Sequence, residues 1–213
     1  MMPLVLPENK DNRQAMEAYM KNRFIFKGIK APERRLLEKE LLKESQKWPM
    51  ERVLKEIESY YQEEAREYQY IAADLLLKNY KRMSYPELKS LFPLINQKAW
   101  WDTVDVLRSS FSKWCLLNPA YFHEIFTYFT RSESFWDRRV ALNLQLGFKE
   151  QTDQAYLKQS ILQDLATDEF FIQKAIGWAL RDYSKTNPEW VTKFITENPG
   201  LSTLAVREGS KYI

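Results

Sequence analysis

The chain has 213 residues, 45% of them hydrophobic, and 32 basic against 29 acidic side chains, enough for one large core and too apolar for a disordered chain. A single cysteine, Cys115, and a single histidine, His123, exclude a disulfide framework, a cysteine cluster and a histidine-rich zinc site, so no metal or cofactor is expected. No stretch approaches the ~20 apolar residues that span a bilayer, and the opening MMPLVLPENK lacks the pattern of a signal peptide. A soluble, cytoplasmic protein is the expectation. The net charge of +3 is a mild basic bias that does not by itself demand nucleic acid.

Apolar periodicity predicts helices over about 9–22, 32–47, 50–60, 63–81, 85–94, 98–115, 119–130, 134–148, 153–166, 168–185, 188–197 and 200–211. The breaks carry ordinary turn and cap chemistry. Pro32 and Pro86 suit first-turn positions, and Asn118-Pro119 and Asn187-Pro188 read as N-cap plus N1 pairs. No strand pattern and no domain linker is visible, so residues 1–213 read as one all-α domain.

Aromatic pairs open three of these helices at equal intervals: Trp100-Trp101, Phe135-Trp136 and Phe170-Phe171, each 35 residues after the last. Asp102 and Asp137 keep the same register. A helical repeat of this length means stacked helix pairs, each burying its neighbour's apolar face. The expected architecture is a curved α-solenoid with a concave face suited to an extended partner.

Two helices carry a second stripe beside the core stripe. In 98–115, Trp100, Val104, Leu107, Phe111 and Trp114 face the core, and Trp101, Asp105, Arg108 and Ser112 lie one position round. In 168–185 the core stripe is Ile172, Ile176, Ala179 and Tyr183, and Lys174, Trp178, Arg181 and Lys185 make a basic stripe with one indole. Cations around an aromatic suit a surface that tracks a nucleic-acid backbone. Arg139 lies on an otherwise apolar helix and needs an anionic partner. Each observation has a plainer alternative. Tryptophans at helical spacing are more often core residues, Asp105 could cap the helix or pair with Arg108 three residues on, the basic residues could be a solvated face, and Arg139 could pair with a carboxylate of the next repeat.

Three segments carry a family resemblance: AYMKNRFIFKGIKAPERR at 18–35, AWWDTVD at 99–105 and FFIQKAIGWALRDYSKTNP at 170–188, with a shorter one, FWDRRVAL, at 135–142. On these the chain resembles the AlkD-type bacterial alkylpurine DNA glycosylases, DNA alkylation repair enzymes built from HEAT-like repeats. The resemblance implies that Asp105 is the catalytic aspartate and that Trp101 and Trp178 flank the lesion's deoxyribose. It implies that Arg139, or else Arg138, contacts the DNA backbone beside the lesion, and that Tyr19 lines the same cleft. The chain looks shorter at its C-terminus than other members of that family. The implied partner is duplex DNA containing alkylated purines, bound by a monomer. Lys174, Arg181, Lys185 and Arg108, with Lys27, Arg34 and Arg35 from the basic run that begins at Lys21, are the expected DNA contacts.

The implied reaction is hydrolysis of the N-glycosidic bond. A purine alkylated at N3 or N7 is already cationic and leaves without a general acid, which fits a chain with one histidine. The remaining cost is positive charge on the sugar, which a carboxylate stabilises. The family is understood to leave the lesion in the duplex rather than flip it. Two other readings stay open: a member of the same fold that binds DNA without cleaving it, and a helical-repeat scaffold that binds protein.

Overall fold

The computed structural model describes residues 4–213, and every regular element in them is helical. The chain forms two compact units, one reaching to Leu94 and the other running from Ile95 to Ile213. No helix among the described residues is long and apolar enough to cross a membrane.

The first unit holds α1 (Lys10–Tyr19), α2 (Ala31–Leu37), α3 (Lys39–Ser45), α4 (Met50–Gln62), α5 (Arg66–Asn79) and α6 (Tyr85–Ser90). Its core lies between α4 and α5, where Val53, Ile57 and Tyr61 on one helix and Ile71, Leu75 and Leu76 on the other are buried. The helix expected over 9–22 stops at Tyr19, because Lys21 and Asn22 take left-handed backbone angles (φ 58° and 52°). Their N–H groups return to the carbonyls of Ala18 and Glu17, which closes the helix end. The following loop is pinned by Glu67, fully buried, whose carboxylate accepts from the N–H groups of Lys27, Gly28 and Ile29. Gly28 has φ 87°, and a Cβ there would lie 2.0 Å from the Asn9 carbonyl oxygen, so only glycine fits.

The single helix expected over 32–47 is two, divided at Glu38, whose side chain turns inward onto Arg34. Arg34 Nη1 meets Glu38 at 2.7 Å and Asp74 at 2.6 Å. One guanidinium cannot offset two ionised carboxylates in a buried site, and Glu38 is the deeper of the two, with its Oε1 lacking any partner. Burial, helped by Asp74 and opposed by Arg34, pushes the Glu38 carboxyl up to about 8. The folded chain therefore holds a proton that the unfolded chain releases near pH 4.5. Stability should fall as pH rises between these values, with a limiting slope of about 1.4 kcal/mol per pH unit. Urea melts from pH 5 to 9 check this. If Glu38→Gln leaves the slope unchanged, some other group is responsible.

The second unit contains α7 (Trp101–Leu117), α8 (Phe122–Thr130), α9 (Phe135–Asn143), α10 (Gln154–Gln163), α11 (Phe170–Ser184), α12 (Pro188–Glu197) and α13 (Thr203–Gly209). The repeat read from the aromatic pairs is present here. The helices α7, α9 and α11 begin at residues 101, 135 and 170, each followed by a second helix, and α9 packs against α7, α8, α10 and α11. Trp100, Trp136 and Phe171 meet where these helices start, with ring centroids 4.9–6.0 Å apart. Such edge and tilted contacts add to the apolar burial.

Most helix ends in this unit differ from the periodicity by a few residues, and three differences have a visible cause. The helix expected from 98 begins at Trp101, because Lys98 is left-handed (φ 46°). The helix expected over 134–148 ends at Asn143, and the turn beyond it passes through Gly147 at φ 85°. Asn118 is not an N-cap: it closes α7, donating Nδ2 to the Trp114 carbonyl, and a 3-10 turn over Pro119–Tyr121 intervenes before α8. Asn187 does cap α12, its Oδ1 accepting from the Trp190 N–H.

Candidate active site

Helix α7 presents most of the two stripes read from its sequence. Val104, Leu107, Phe111 and Trp114 are buried, and Trp101, Asp105 and Arg108 are half-buried along the rim, but Trp100 precedes the helix and is half-buried, and Ser112 is buried rather than on the rim. In α11 the residues Ile172, Ile176, Ala179 and Tyr183 are buried, and Lys174, Trp178 and Arg181 occupy the rim. Between the two lies α9, started by the Ser134 hydroxyl, which accepts from the Trp136 N–H. Its Arg139 points to both neighbours.

Arg139 forms a two-pronged ion pair with Asp105: Nε to Oδ1 at 3.0 Å and Nη2 to Oδ2 at 2.8 Å. Nη1 donates to the Phe171 carbonyl at the start of α11, and the guanidinium carbon lies 4.9 Å from the Trp178 ring centroid. The arginine side chain is 2% exposed and the aspartate 19%. The cation thus lies beneath and holds a carboxylate whose outer edge meets solvent, a rigid and strong geometry.

Arg139 is thus engaged within the protein: each of its nitrogens has an acceptor there, and its anionic partner is the aspartate of the preceding repeat. Arg138 lies elsewhere, with Nε on the Asp164 carboxylate and Nη1 on the carbonyls of Ser132 and Glu133. Asp105 does not pair with Arg108. Arg108 has only a long contact to the Ser112 hydroxyl (3.4 Å), and its buried Nε has no partner. Burial lowers its pKa from the usual arginine value. Asp105 and Asp182 offset this in part through space, but no carboxylate touches the guanidinium, and such a partly desolvated cation attracts an external anion.

Trp101, Arg139, Phe170, Phe171, Lys174 and Trp178 line an open recess of about 220 Å³. Its walls are mainly aromatic faces, with cations among them. A recess of about 240 Å³ elsewhere in the unit is lined in part by Cys115, His123 and Tyr156 and shares no residue with it. Burial pushes the Cys115 thiol up to about 12, which leaves it un-ionised and unreactive at neutral pH. The His123 ring is engaged with the Tyr156 hydroxyl at 2.9 Å.

The remaining expected contacts divide. Lys174 and Arg181 flank Trp178, and both meet Glu208 of α13 at 3.0 Å. Lys185 is exposed, with Nζ 3.6 Å from Asp182. In the first unit Tyr19 and Arg35 are exposed, and Lys27 pairs with Glu8 at 3.0 Å. Arg34 does not reach the surface, because Glu38 and Asp74 hold it inside. Sequence reasoning missed Phe170 and Phe171 as recess walls, since an aromatic pair at a helix start reads as core. It also missed Glu208, for which Gly177, mid-helix between Lys174 and Arg181, was the one available signal.

The profile of a family described as DNA alkylation repair enzyme matches residues 4–213. A solved structure described as a predicted DNA alkylation repair enzyme from Enterococcus faecalis is 53% identical, with 99% of each chain covered and a TM-score of 0.97. No curated protein matches the sequence. With the profile spanning the second unit and its Trp101, Asp105, Arg139 and Trp178 constellation, the chain belongs to the DNA alkylation repair enzyme family.

Proposed function

We propose that this protein is a DNA glycosylase that hydrolyses the N-glycosidic bond of cationic N3- and N7-alkylated purines in duplex DNA, without flipping the base. The observation that carries this reading is the Asp105 carboxylate, fixed by Arg139 next to a recess walled by Trp101 and Trp178. As the C1′–N bond lengthens, its electron pair goes to the alkylated base and neutralises it, and positive charge appears on the sugar. A preorganised carboxylate stabilises that charge with no reorganisation at the moment of reaction. The faces of Trp101 and Trp178 add cation–π attraction of roughly 0.5–2 kcal/mol each. Water then attacks C1′, oriented by Asp105, which takes up its proton as the C–O bond forms.

In this mechanism Arg139 binds both aspartate oxygens and so fixes the orientation of the carboxylate beside the sugar. Arg108, half-buried with no carboxylate in contact, takes a phosphate of the same duplex.

The test is direct. Duplex DNA treated with a methylating agent is incubated with the protein, and the soluble fraction is resolved by chromatography. Free 7-methylguanine and 3-methyladenine are expected. Release no faster than in a protein-free control overturns the proposal and leaves a DNA-binding member of the family.

A further inference from the structure

Gly177 lies in the middle of α11, where glycine is about 1 kcal/mol less favourable than alanine. Its reason is contact with α13. A Cβ at residue 177 would lie 2.5 Å from the Cβ of Glu208 and 3.1 Å from the Ala205 carbonyl oxygen. The missing side chain lets the backbone of α13 settle onto α11. Glu208 enters between the residues three before and four after the glycine, Lys174 and Arg181.

The carboxylate is fully used there. Oε1 accepts from Lys174 at 3.0 Å, and Oε2 accepts from Arg181 at 3.0 Å and Lys211 at 2.8 Å. Glu208 is 8% exposed in its side chain, and Lys174 and Arg181 are each 28% exposed. The anion is therefore below and the cations above it, with three positive charges against one negative. Hydrogen bonds from Lys211 and Lys174 hold the carboxyl down to about 2, so it stays ionised at any working pH. Lys174 also lines the aromatic recess, and Trp178 stands between the two cations on the same stripe. Long basic side chains lose rotamer freedom on gripping a ligand, and a buried counterion removes that cost beforehand.

We propose that Glu208, seated on Gly177, is a positioning residue that holds Lys174 and Arg181 at the rim of the recess so that both grip the phosphate backbone flanking the lesion. The excision arm of the test rests on the glycosylase reading above, and the binding arm does not.

Glu208→Gln keeps the size but replaces one acceptor with a donor that repels a cation. Affinity for undamaged duplex should then rise several-fold at low salt, because a buried negative charge is gone. Single-turnover excision of 7-methylguanine at saturating enzyme should fall about tenfold, since mobile cations no longer fix the sugar against Asp105. Glu208→Asp keeps the charge and should restore part of the rate. A purely structural role predicts that binding and rate fall together, and that result, or an unchanged saturated rate, overturns the proposal. The second arm, run whether or not Glu208→Gln folds, is Lys174→Gln with Arg181→Gln, which leaves the Glu208 carboxylate paired with Lys211. The slope of log K against log salt should become shallower by about 1.8, or roughly 0.9 for each lost phosphate contact. A slope equal to the parent's overturns the proposal. A parent with the slope but no base release sinks the glycosylase reading instead, and the binding arm still decides the role of the cations.

Discussion

Asp105→Asn should lower the single-turnover release of 7-methylguanine by about 10²–10³, the usual effect of removing one preorganised electrostatic group. Asparagine keeps the size and one acceptor oxygen but carries no charge to oppose the developing cation. The same change has a structural consequence that the geometry makes explicit. Arg139 is 2% exposed and gives two of its nitrogens to Asp105, so the variant leaves a buried guanidinium with two neutral acceptors, the asparagine oxygen and the Phe171 carbonyl, and no counterion. A stability loss of about 1–3 kcal/mol is expected, visible as a lower Tm by a few degrees for each kcal/mol in a chain of this size. Rates must therefore be taken at saturating enzyme and well below the melting transition. Duplex affinity should stay at the parent level or rise slightly, because an anion facing phosphate has gone. An Asp105→Asn protein that excises at the parent rate would falsify the assigned role and reduce the Arg139–Asp105 pair to a packing feature.

Duplexes carrying a single defined lesion should separate by the charge of the base. Cationic 7-methylguanine and 3-methyladenine need no proton before they leave, whereas uracil and hypoxanthine need one. The recess offers no carboxylic acid or imidazole for this: among its lining residues the titratable groups are Arg139 and Lys174, each committed to a carboxylate, Asp105 and Glu208. Neutral lesions should therefore be released more slowly by at least about 10²-fold, within the 10²–10⁴ that general acid catalysis commonly contributes. Trp178→Leu tests the same idea from the side of the protein. The ring lies against the Arg139 guanidinium and faces the recess. Losing its π face should slow excision of the cationic lesions more than it weakens binding, by a factor in line with about 0.5–2 kcal/mol. Equal rates on cationic and neutral lesions would point to an acid outside the recess and a different mechanism.

Much of the site was legible from helical spacing alone. Trp101 and Asp105 differ by one turn of α7, and Trp178 by one turn from Lys174 in α11, so each set had to share a face whatever the fold. The spacing also separated them from the core stripe, because a shift of one residue rotates a side chain by about 100°. The difference is visible in the tryptophans: Trp114, on the core stripe, is 1% exposed, whereas Trp101 and Trp178 are half-buried at the rim. The 35-residue interval likewise required helices of successive repeats to start in register, which brings Trp100, Trp136 and Phe171 into contact.

Helix ends were less legible. Lys21, Asn22 and Lys98 adopt left-handed angles that no glycine announced, so α1 ended before the apolar pattern did and α7 began after it. Such angles are set by where the N–H groups of the turn find acceptors, and those acceptors are specified by the packed structure. Charge pairing was the least legible of all. From one dimension, Asp105 had Arg108 as its nearest cation, and Arg34 read as part of a basic run. In three dimensions Asp105 pairs with Arg139, 34 residues away, and Arg34 with Glu38 and with Asp74, 40 residues away.

The helices, their repeat and the faces they present thus follow from local periodicity and backbone geometry. Which charges meet depends on packing. A buried arginine must find its carboxylate wherever packing places one, so Arg139 was committed to hold Asp105, and Glu208 to hold Lys174 and Arg181, by the way α7, α9, α11 and α13 stack.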